Sequence, residues 1–427
     1  MTRNYLLDIA TWRDRSTGYK GIPSICSAHP LVIEAAMRHA LKADSHLLIE
    51  ATCNQVNQDG GYTGMTPADF GAFVEDIAAA TGFPMTRIIL GGDHLGPNPW
   101  KNLDAGQAMD KAEFMIRAYA HAGFTKLHLD TSMGCAGEPI ALPDDVTAER
   151  AARLAAAAED AISGSDGTKP VYIIGTEVPI PGGAMEELDV LEVTRPEAAQ
   201  ETVKVHAEAF AAAGAGEAFS RVVGAVVQPG VEFGNHNVIP YDPAAASPLS
   251  RSLASLPGLV FEAHSTDYQT REALRALIND GFAILKVGPG LTFALREALY
   301  GLDQIAAFLF PETRQETLMA VTERVMTRDP RNWNKYYHGS PEEQHLQRHF
   351  SYSDRIRYYW PEREIAGAVE QLFAVFGDNE IPETMISQYL QGLYPRVRAG
   401  EASPTAKGLA IAAIDAVLED YFEACKA

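Results

Sequence analysis

Eight short hydrophobic segments recur along residues 1–310, and a stretch with a helical pattern follows each of them. They are rich in Val, Ile and Leu and span residues 22–28, 46–52, 87–94, 126–132, 171–179, 221–230, 259–267 and 283–290. Parallel strands need crossover helices and are buried on both faces, so they form apolar runs of this kind. The repeat predicts an α/β fold, a (β/α)8 TIM barrel; a doubly wound open sheet is the alternative.

Residues 311–427 differ in composition and are predicted to form a C-terminal helical extension. Two segments, 331–338 and 350–360, concentrate aromatic and basic side chains. Such clusters are typical of buried contact surfaces. The extension is expected to pack on the barrel formed by residues 1–310. A reach over the barrel mouth, or a contact with a partner subunit, is the alternative.

The charge of the chain limits its partners. Asp and Glu number 56 against 35 Lys and Arg, which gives a formal net charge of -21. This argues against binding nucleic acid or an anionic membrane through bulk electrostatics. Residues 1–20 lack the apolar core of a signal peptide, and no later run approaches the ~18 apolar residues of a membrane span. A cytoplasmic location is therefore predicted, with the four cysteines reduced because they show no pairing motif.

Polar residues collect where the predicted strands end, and barrels build their active sites at those ends. Asp93 and His94 end the third segment. His128 and Asp130 lie two residues apart on the fourth segment, and His264 lies on the seventh. One Asp-His pair alone would more often be structural. Several strands that point such groups at one rim favour a ligand site, because uncompensated buried charges are costly.

These groups predict a divalent metal site, with zinc as the expected ion. Catalytic zinc takes three protein ligands and keeps one position open to polarise a carbonyl. His94 and His264 are the preferred ligands, and the third is either His128 or Glu177, which ends the fifth segment. The aspartates beside these histidines are the candidates for proton transfer, and Glu177 is a further candidate catalytic carboxylate.

Six further residues near strand ends are candidates for binding a sugar or its phosphate: Glu50, Asn54, Gln228, Lys286, Gly288 and Gly290. Lys286 would form a Schiff base if desolvated, but an ion pair with Glu262 on the adjacent strand is the preferred interpretation. The turn around Gly288 precedes a predicted helix start near residue 293, where barrels commonly bind phosphate through backbone N–H groups. A turn without a ligand is the alternative. Neither GxxxxGK[ST] nor GxGxxG occurs, which disfavours the two corresponding nucleotide sites.

Seven motifs make the chain resemble a known family. They span residues 26–34, 49–58, 60–65, 90–98, 175–179, 262–270 and 354–360. They are similar to the GatZ/KbaZ family, the Z subunits of class II tagatose-1,6-bisphosphate aldolase. The resemblance implies a barrel protein of galactitol or amino-sugar catabolism that the catalytic subunit needs for activity and stability. Many members carry the label tagatose-6-phosphate kinase, and some relatives resemble epimerases.

The chain also resembles, more distantly, the catalytic class II aldolases. In that resemblance Asp93 matches the proton-transfer residue that directly precedes a zinc-binding histidine. His94 matches that ligand, and His264 is the candidate for a second one. A third histidine is expected on the eighth strand, where this sequence has Lys286. The departure leaves an aldolase-type metal site incomplete unless a carboxylate such as Glu177 completes a different one.

Three functions follow as open hypotheses. The first is a helper subunit of a tagatose-bisphosphate aldolase, with a catalytic class II aldolase chain as its partner. The second is an autonomous metal-dependent enzyme that cleaves or epimerises ketoses, uronates or their phosphates. The third is a sugar-phosphate kinase, for which no nucleotide motif is found. A sugar or sugar phosphate is the expected ligand in each case, and a homo-oligomer is an open alternative.

Overall fold

The computed structural model of the chain describes residues 3–14, 16, 18–176, 191–312 and 316–426. The strands in these ranges are β1 (Ile22–Cys26), β2 (Leu47–Thr52), β3 (Ile88–Leu95), β4 (Lys126–Leu129), β5 (Val171–Ile174), β6 (Val222–Val226), β7 (Glu232–Phe233), β8 (Val238–Ile239), β9 (Val260–Ala263) and β10 (Ile284–Val287). Eight of them form a closed parallel barrel in the order β1-β10-β9-β6-β5-β4-β3-β2, while β7 and β8 pair as an antiparallel hairpin. The predicted TIM barrel is confirmed.

Helices surround the barrel and continue into the extension. Those of the barrel part are α1 (Pro30–Lys42), α2 (Pro67–Thr81), α3 (Ala105–His121), α4 (Asp144–Ala161), α5 (Pro196–Ala212), α6 (Gly216–Phe219), α7 (Pro243–Ser252), α8 (Arg271–Asn279) and α9 (Pro289–Leu309). The extension contains α10 (Leu318–Arg328), α11 (Pro341–Phe350), α12 (Arg363–Phe376), α13 (Glu383–Tyr389), α14 (Tyr394–Arg398) and α15 (Ala406–Cys425). Of the helices described, none combines the length and the apolar character needed to cross a membrane.

Local sequence signals explain where the helices begin and end. At the start of α2, the hydroxyl of Thr66 accepts from the Asp69 N–H (3.3 Å), and the Asp69 carboxylate accepts from the Thr66 N–H (2.9 Å). This reciprocal capping satisfies two otherwise unpaired donors. The helix ends at Thr81, and Gly82 caps it. The φ of Gly82 is 73°, the left-handed conformation that glycine adopts at helix ends. Helix α9 begins at Pro289 rather than near residue 293, because proline has the φ of a first helical turn.

The interior of the barrel has an apolar layer at the amino ends of the strands and a charged layer above it. Side chains alternate between the two faces of a strand, so residues i and i+2 both point inward. On three strands the inward pair runs from apolar to charged: Leu48 and Glu50, Val260 and Glu262, Ile284 and Lys286. A 3-10 helix, Tyr5–Arg13, covers the apolar layer with Leu6, Ile9 and Trp12. The charged layer therefore lies between an apolar floor and the barrel mouth.

The extension contacts the barrel at two places. Helix α15 packs against α1, α8 and α9, and the N–H of Gly21, next to β1, donates to the carbonyl of Cys425 (2.9 Å). A 3-10 turn, Arg355–Tyr359, lies at the barrel mouth, where Arg357 and Tyr358 line a cavity. The extension thus packs on the barrel and also reaches over its mouth.

The observed strands differ from the predicted ones at two places. The hairpin of β7 and β8 was not predicted, because strands of two residues are too short to show alternation. The fifth predicted segment, 171–179, yields a strand of four residues that ends at Ile174. Residues 177–179 of that segment lie outside the described residues.

Candidate active site

Four charged side chains form a network inside the barrel, just below its mouth. Nζ of Lys126 on β4 lies 2.5 Å from Oε1 of Glu50 and 2.8 Å from Oε2 of Glu262. Nζ of Lys286 on β10 lies 3.0 Å from Oε2 of Glu50. Burial alone would raise the pKa of Glu262, but Lys126 beside it keeps this pKa below its usual range. Burial of these charges is tolerated because each has an opposite partner.

Asp93 connects this network to the mouth. Its Oδ1 contacts Nζ of Lys286, and it lies 2.8 Å from Nδ1 of His128. Burial would raise the pKa of Asp93, but His94 and Lys286 together hold it well below the ordinary value. Asp93 is therefore an ionised carboxylate at neutral pH, and it lines the cavity.

A bulge at the end of β3 aims two neighbouring side chains at the same place. Consecutive residues of a regular strand point to opposite faces, so Asp93 and His94 would normally diverge. The pairing of β3 with β4 shifts register between Gly92 and Leu95, and His94 has a φ of 49°. A left-handed conformation at a residue other than glycine is strained and is often found at functional sites. Here it lets both side chains line the cavity.

Three imidazoles, hereafter the three-histidine cluster, meet at this bulge. The ring centroids of His94, His128 and His264 lie 4.9, 5.0 and 5.2 Å apart. One nitrogen of each ring contacts a carboxylate: His94 Nδ1 with Asp130 (2.8 Å), His128 Nδ1 with Asp93 (2.8 Å) and His264 Nε2 with Glu262 (3.0 Å). An ionised carboxylate only accepts, so these nitrogens carry the proton and the opposite nitrogens keep a lone pair.

The three-histidine cluster fits a divalent metal ion. One ligand atom from each histidine and one from Asp93 lie within 4.8 Å of one another, and all four residues are buried. Nε2 of His128 is buried and has no hydrogen-bond partner among the described residues. The amide nitrogen of His94 also lies 3.2 Å from Nδ1 of His128. The contact of this Nδ1 with Asp93 is shorter (2.8 Å), so we assign the ring proton to the hydrogen bond with Asp93. Imidazoles whose second nitrogen contacts a carboxylate are typical of zinc sites.

The protonation states agree with a metal site. Burial, and then the charge of Lys286, lowers the pKa of His264 to about 3. The ring is therefore neutral near pH 7, which is the form that binds metals. Burial would raise the pKa of Asp130, but the contact with His94 lowers it to about 2. Asp130 also accepts from the Ser132 hydroxyl (2.9 Å), so it orients His94.

A cavity opens at the mouth above the cluster, where about 650 Å³ is free of protein atoms, the part open to solvent included. Several predicted site residues line it: Asn54, Asp93, His94, His264, Lys286 and Gly288. His128 and Asp130 contact these residues from behind and do not line the cavity. A second cavity of about 1360 Å³ adjoins the first, because Cys26, Gln55, Tyr62, Gly288 and Arg357 line both. The arrangement places a candidate metal site beside a cavity that is open at the barrel mouth.

Glu50 and Gln228 have other surroundings than expected, and Lys286 has closer ion-pair partners than the one predicted. Glu50 lies in the charged network beneath the cavity. Gln228 accepts from the N–H groups of Gly230 (2.8 Å) and Val231 (3.1 Å), which stabilises a turn. Lys286 is 3.8 Å from Glu262, the partner predicted for it, and closer to Glu50 and Asp93. Glu177 lies outside the described residues.

The predicted phosphate site at the start of α9 also differs from expectation. Oδ1 of Asp267 accepts from the N–H groups of Gly288 (2.9 Å) and Gly290 (2.7 Å). These are the backbone donors that the sequence analysis assigned to a phosphate. The protein's own carboxylate uses them, because a helix amino end attracts any anion.

Three residues that shape the site, Lys126, Arg357 and Tyr358, are not among those predicted from the sequence. Lys126 starts β4 in phase with His128, so alternation alone would have placed a lysine inside the barrel. Arg357 and Tyr358 line the cavity from the extension. A reach of the extension over the barrel mouth is an alternative in the prediction from sequence, but these two residues are not predicted, because their position depends on how the extension folds back.

Gly96 allows β3 and the end of β4 to approach closely, and we expect Gly96→Ala to be destabilising. A Cβ at this position would lie 1.6 Å from the carbonyl oxygen of Asp130. The backbone would have to move, at a cost of about 1–3 kcal/mol in the free energy of unfolding. Gly367 in α12 is the matched control, because a Cβ there meets nothing within 4 Å. Gly367→Ala should stabilise by about 0.5–1 kcal/mol. Urea unfolding of both variants checks this, and equal midpoints would contradict it.

Comparison with known proteins supports the resemblance that the motifs indicated. Residues 6–426 match the family described as D-tagatose-1,6-bisphosphate aldolase subunit GatZ/KbaZ-like. A protein of Agrobacterium fabrum (strain C58) named D-tagatose 6-phosphate 4-epimerase is 53% identical over 404 residues, which are 95% of this chain and 94% of that protein.

A solved structure agrees with the same grouping. The crystal structure of a probable tagatose 6 phosphate kinase from Sinorhizobium meliloti 1021 has 69% sequence identity and a TM-score of 0.89. The match covers 95% of this chain and 100% of that one. The chain therefore belongs to the GatZ/KbaZ-like family of D-tagatose-1,6-bisphosphate aldolase subunits.

Proposed function

We propose that this chain is a metal-dependent epimerase that inverts C4 of D-tagatose 6-phosphate by breaking and remaking the bond between C3 and C4. The three-histidine cluster beside Asp93, at a cavity of about 650 Å³, carries this proposal. Membership of an aldolase-related family supports carbon–carbon bond chemistry in tagatose metabolism. The name of the Agrobacterium fabrum relative supports epimerisation as the outcome.

The histidines have a binding role in this mechanism. His94, His128 and His264 would hold the metal ion, which as a Lewis acid supplies polarisation of the ketose carbonyl at C2. Asp130 and Glu262 fix the orientation of two of these rings through their protonated nitrogens. Such contacts raise the basicity of the ligating nitrogen and keep the ring in place.

Asp93 carries the proton. Its carboxylate removes the proton of the C4 hydroxyl, the C3–C4 bond breaks, and the bonding electron pair remains on the C1–C3 fragment as an ene-diolate. C4 becomes an aldehyde, which rotates and presents its other face. C3 then attacks C4 again, and Asp93 returns the proton to the oxygen at C4. All atoms of the substrate are retained, and only the configuration at C4 changes.

Lys286 favours the ionised state of Asp93 and also faces the substrate. Its ammonium group contacts the carboxylate and also lines the cavity. The positive charge favours the ionised form of Asp93 before the reaction. Because it faces the cavity, it also stabilises negative charge that develops on the substrate. The buried carboxylates Glu50 and Glu262 balance the charge of the two lysines.

Elemental analysis together with an epimerisation assay tests the proposed function. We expect about one divalent ion per chain, as for a three-histidine site, and interconversion of D-tagatose 6-phosphate and D-fructose 6-phosphate followed by nuclear magnetic resonance. His128→Gln should lose both the ion and the activity. His121→Gln is the matched control, because His121 is an exposed residue in the last turn of α3, away from the three-histidine cluster. This variant should keep both.

A helper subunit of an aldolase is the second candidate, because the family description contains the word subunit. In that case the metal-loaded chain would leave tagatose 6-phosphate unchanged. It would instead accelerate the cleavage of tagatose 1,6-bisphosphate by a catalytic class II aldolase. Observation of this pair of results, with wild-type protein, would replace the epimerase proposal.

A further inference from the structure

Arg357 at the barrel mouth has a positive charge without a carboxylate partner. Its Nη1 donates to the carbonyls of Ser353 and Asp354, and its Nη2 donates to the hydroxyl of Tyr358 (3.1 Å). Among the residues that the structure describes, its guanidinium forms no salt bridge, and Asp354 and Asp267 act on it only at longer range. A half-buried charge that has no carboxylate in direct contact is costly, so this site favours a bound anion.

A second arginine on the same turn adds to the positive potential. Arg355 is 4% exposed, and its Nη1 has no hydrogen-bond partner among the described residues. The guanidinium carbons of Arg355 and Arg357 lie 4.8 and 4.5 Å from the ring centroid of Tyr358. Two guanidinium groups therefore lie close to one cavity-lining phenol, in a chain whose formal net charge is -21. This local excess of positive charge favours a phosphate or carboxylate ligand.

Arg357 lies where it can bind the phosphoryl group at the end of a sugar phosphate. It lines both cavities, so it lies where they join. Two of the guanidinium nitrogens, Nε and Nη2, lie on one edge, which can pair with two oxygens of a phosphoryl group. A phosphoryl group held there would leave the carbon chain in the smaller cavity, toward the three-histidine cluster.

The other place where a barrel commonly binds phosphate is filled in this chain. Backbone donors at the start of α9 point at the carboxylate of Asp267, which itself lines the smaller cavity. Burial raises the pKa of Asp267 to about 6 despite these two hydrogen bonds, so the group is mostly ionised near neutral pH. An ionised carboxylate repels a phosphoryl group and also takes its hydrogen-bond donors.

We propose that Arg357 binds the phosphoryl group of the substrate and that Asp267 excludes a second phosphoryl group from the start of α9. The cavity would then select a ketose monophosphate over a bisphosphate. The inference rests on the proposed function for the identity of the sugar. It adds the residues that recognise the phosphate and the reason why only one phosphate is accepted.

Calorimetric titration of the metal-loaded protein tests the role of Arg357. Arg357→Met should raise the Kd of D-tagatose 6-phosphate about 30-fold or more, the loss expected when one partner of a buried charge pair is removed. The Kd of unphosphorylated D-tagatose should not change. Arg357→Lys should lie between these values, because lysine keeps the charge but loses the planar fork. Equal losses for both sugars would overturn the assignment.

Two controls separate this role from bulk charge and from carboxylate recognition. Lys407 lines the larger cavity but already pairs with Glu34 (2.9 Å), so Lys407→Met should leave the Kd unchanged. A loss in this variant equal to that of Arg357→Met would show that any nearby cation has the same effect, against the proposal. Tighter binding of the corresponding uronate than of the phosphate would also count against it.

Variants of Asp267 test the exclusion of a bisphosphate. Asp267→Ala removes the charge and frees the two N–H groups, so the Kd of D-tagatose 1,6-bisphosphate should fall about tenfold or more, as removal of a like-charge contact allows. Asp267→Asn keeps an acceptor for the N–H groups and should have a smaller effect. An unchanged ratio of Kd values for the bisphosphate and monophosphate would overturn the exclusion.

These binding measurements are independent of turnover. If wild-type protein binds D-tagatose 6-phosphate through Arg357 but does not epimerise it, the proposed function fails while the phosphate assignment stands. If it epimerises the sugar and Arg357→Met leaves the Kd unchanged, the phosphate assignment fails alone.

Discussion

Replacing Asp93 by asparagine is expected to lower kcat for C4 epimerisation about a thousandfold, within the range that positioned acid–base groups contribute. An amide cannot accept the proton of the C4 hydroxyl. Its oxygen can still accept the hydrogen bond from Nδ1 of His128, which Asp93 accepts at 2.8 Å in the native protein. The bound metal should therefore remain at about one ion per chain. Steady-state rates and elemental analysis of the same preparation measure the two quantities.

Asp130→Ala, which removes the acceptor for Nδ1 of His94, separates proton transfer from the orientation of a metal ligand. Asp130 contacts His94 and Ser132 and does not line the cavity. Its replacement should weaken metal binding about 10- to 100-fold, as for other residues that orient metal ligands. At saturating metal, most of its kcat should return. If Asp93→Asn instead loses metal together with activity, Asp93 acts through the metal site and its assignment as proton carrier is wrong.

Replacing Lys126 by methionine should cause the largest loss of stability among the variants considered. The change leaves Glu262 and Glu50 buried with one cation fewer, and Glu50 then relies on Lys286 (3.0 Å) and the Ser24 hydroxyl (2.6 Å). Removing one partner of a buried charge pair costs about 3–5 kcal/mol in the free energy of unfolding. Chemical denaturation with a fluorescence readout measures the difference from wild type.

Lys204→Met provides the comparison for Lys126→Met. Lys204 pairs with Glu201 (2.9 Å), but both side chains are at least half exposed. An exposed pair of this kind contributes about 0–1 kcal/mol. A loss below about 1 kcal/mol in both variants would mean that water or a rearranged lysine compensates the buried carboxylates. The charged layer would then contribute little to stability.

The barrel was predictable from sequence because its signal is repeated and local. Each strand is a short apolar run, and each run ends in polar residues at the rim that barrels use for function. The histidines and aspartates of the cluster were found for the same reason. Their pairing was not: the contact of His128 with Asp93 and of His94 with Asp130 depends on the bulge in β3. A shift of strand register leaves no mark in the hydrophobic pattern.

The residues that line the cavity were harder to predict than the residues of the three-histidine cluster. Gly288 and Gly290 have the backbone geometry of a phosphate site, but Asp267 occupies their N–H groups. Such competition depends on which side chain the fold places next to the N–H groups, and sequence separation does not reveal this. Arg357 and Tyr358 come from the extension, and the rest of α9 together with helices α10 and α11 separates them in sequence from Gly290, the last of the predicted site residues. Only the tertiary fold shows that they belong to the cavity.

The packing of α15 has a consequence for the order in which the chain can fold. Helix α1 follows the first strand, yet one of the helices that covers it is α15, near the other end of the described chain. Contacts between such distant segments form late, because a long loop must close before they gain any stability. A nascent barrel would therefore expose part of the apolar face of α1 during synthesis. Because an exposed apolar face promotes aggregation, we expect a chaperone to assist the chain during that interval.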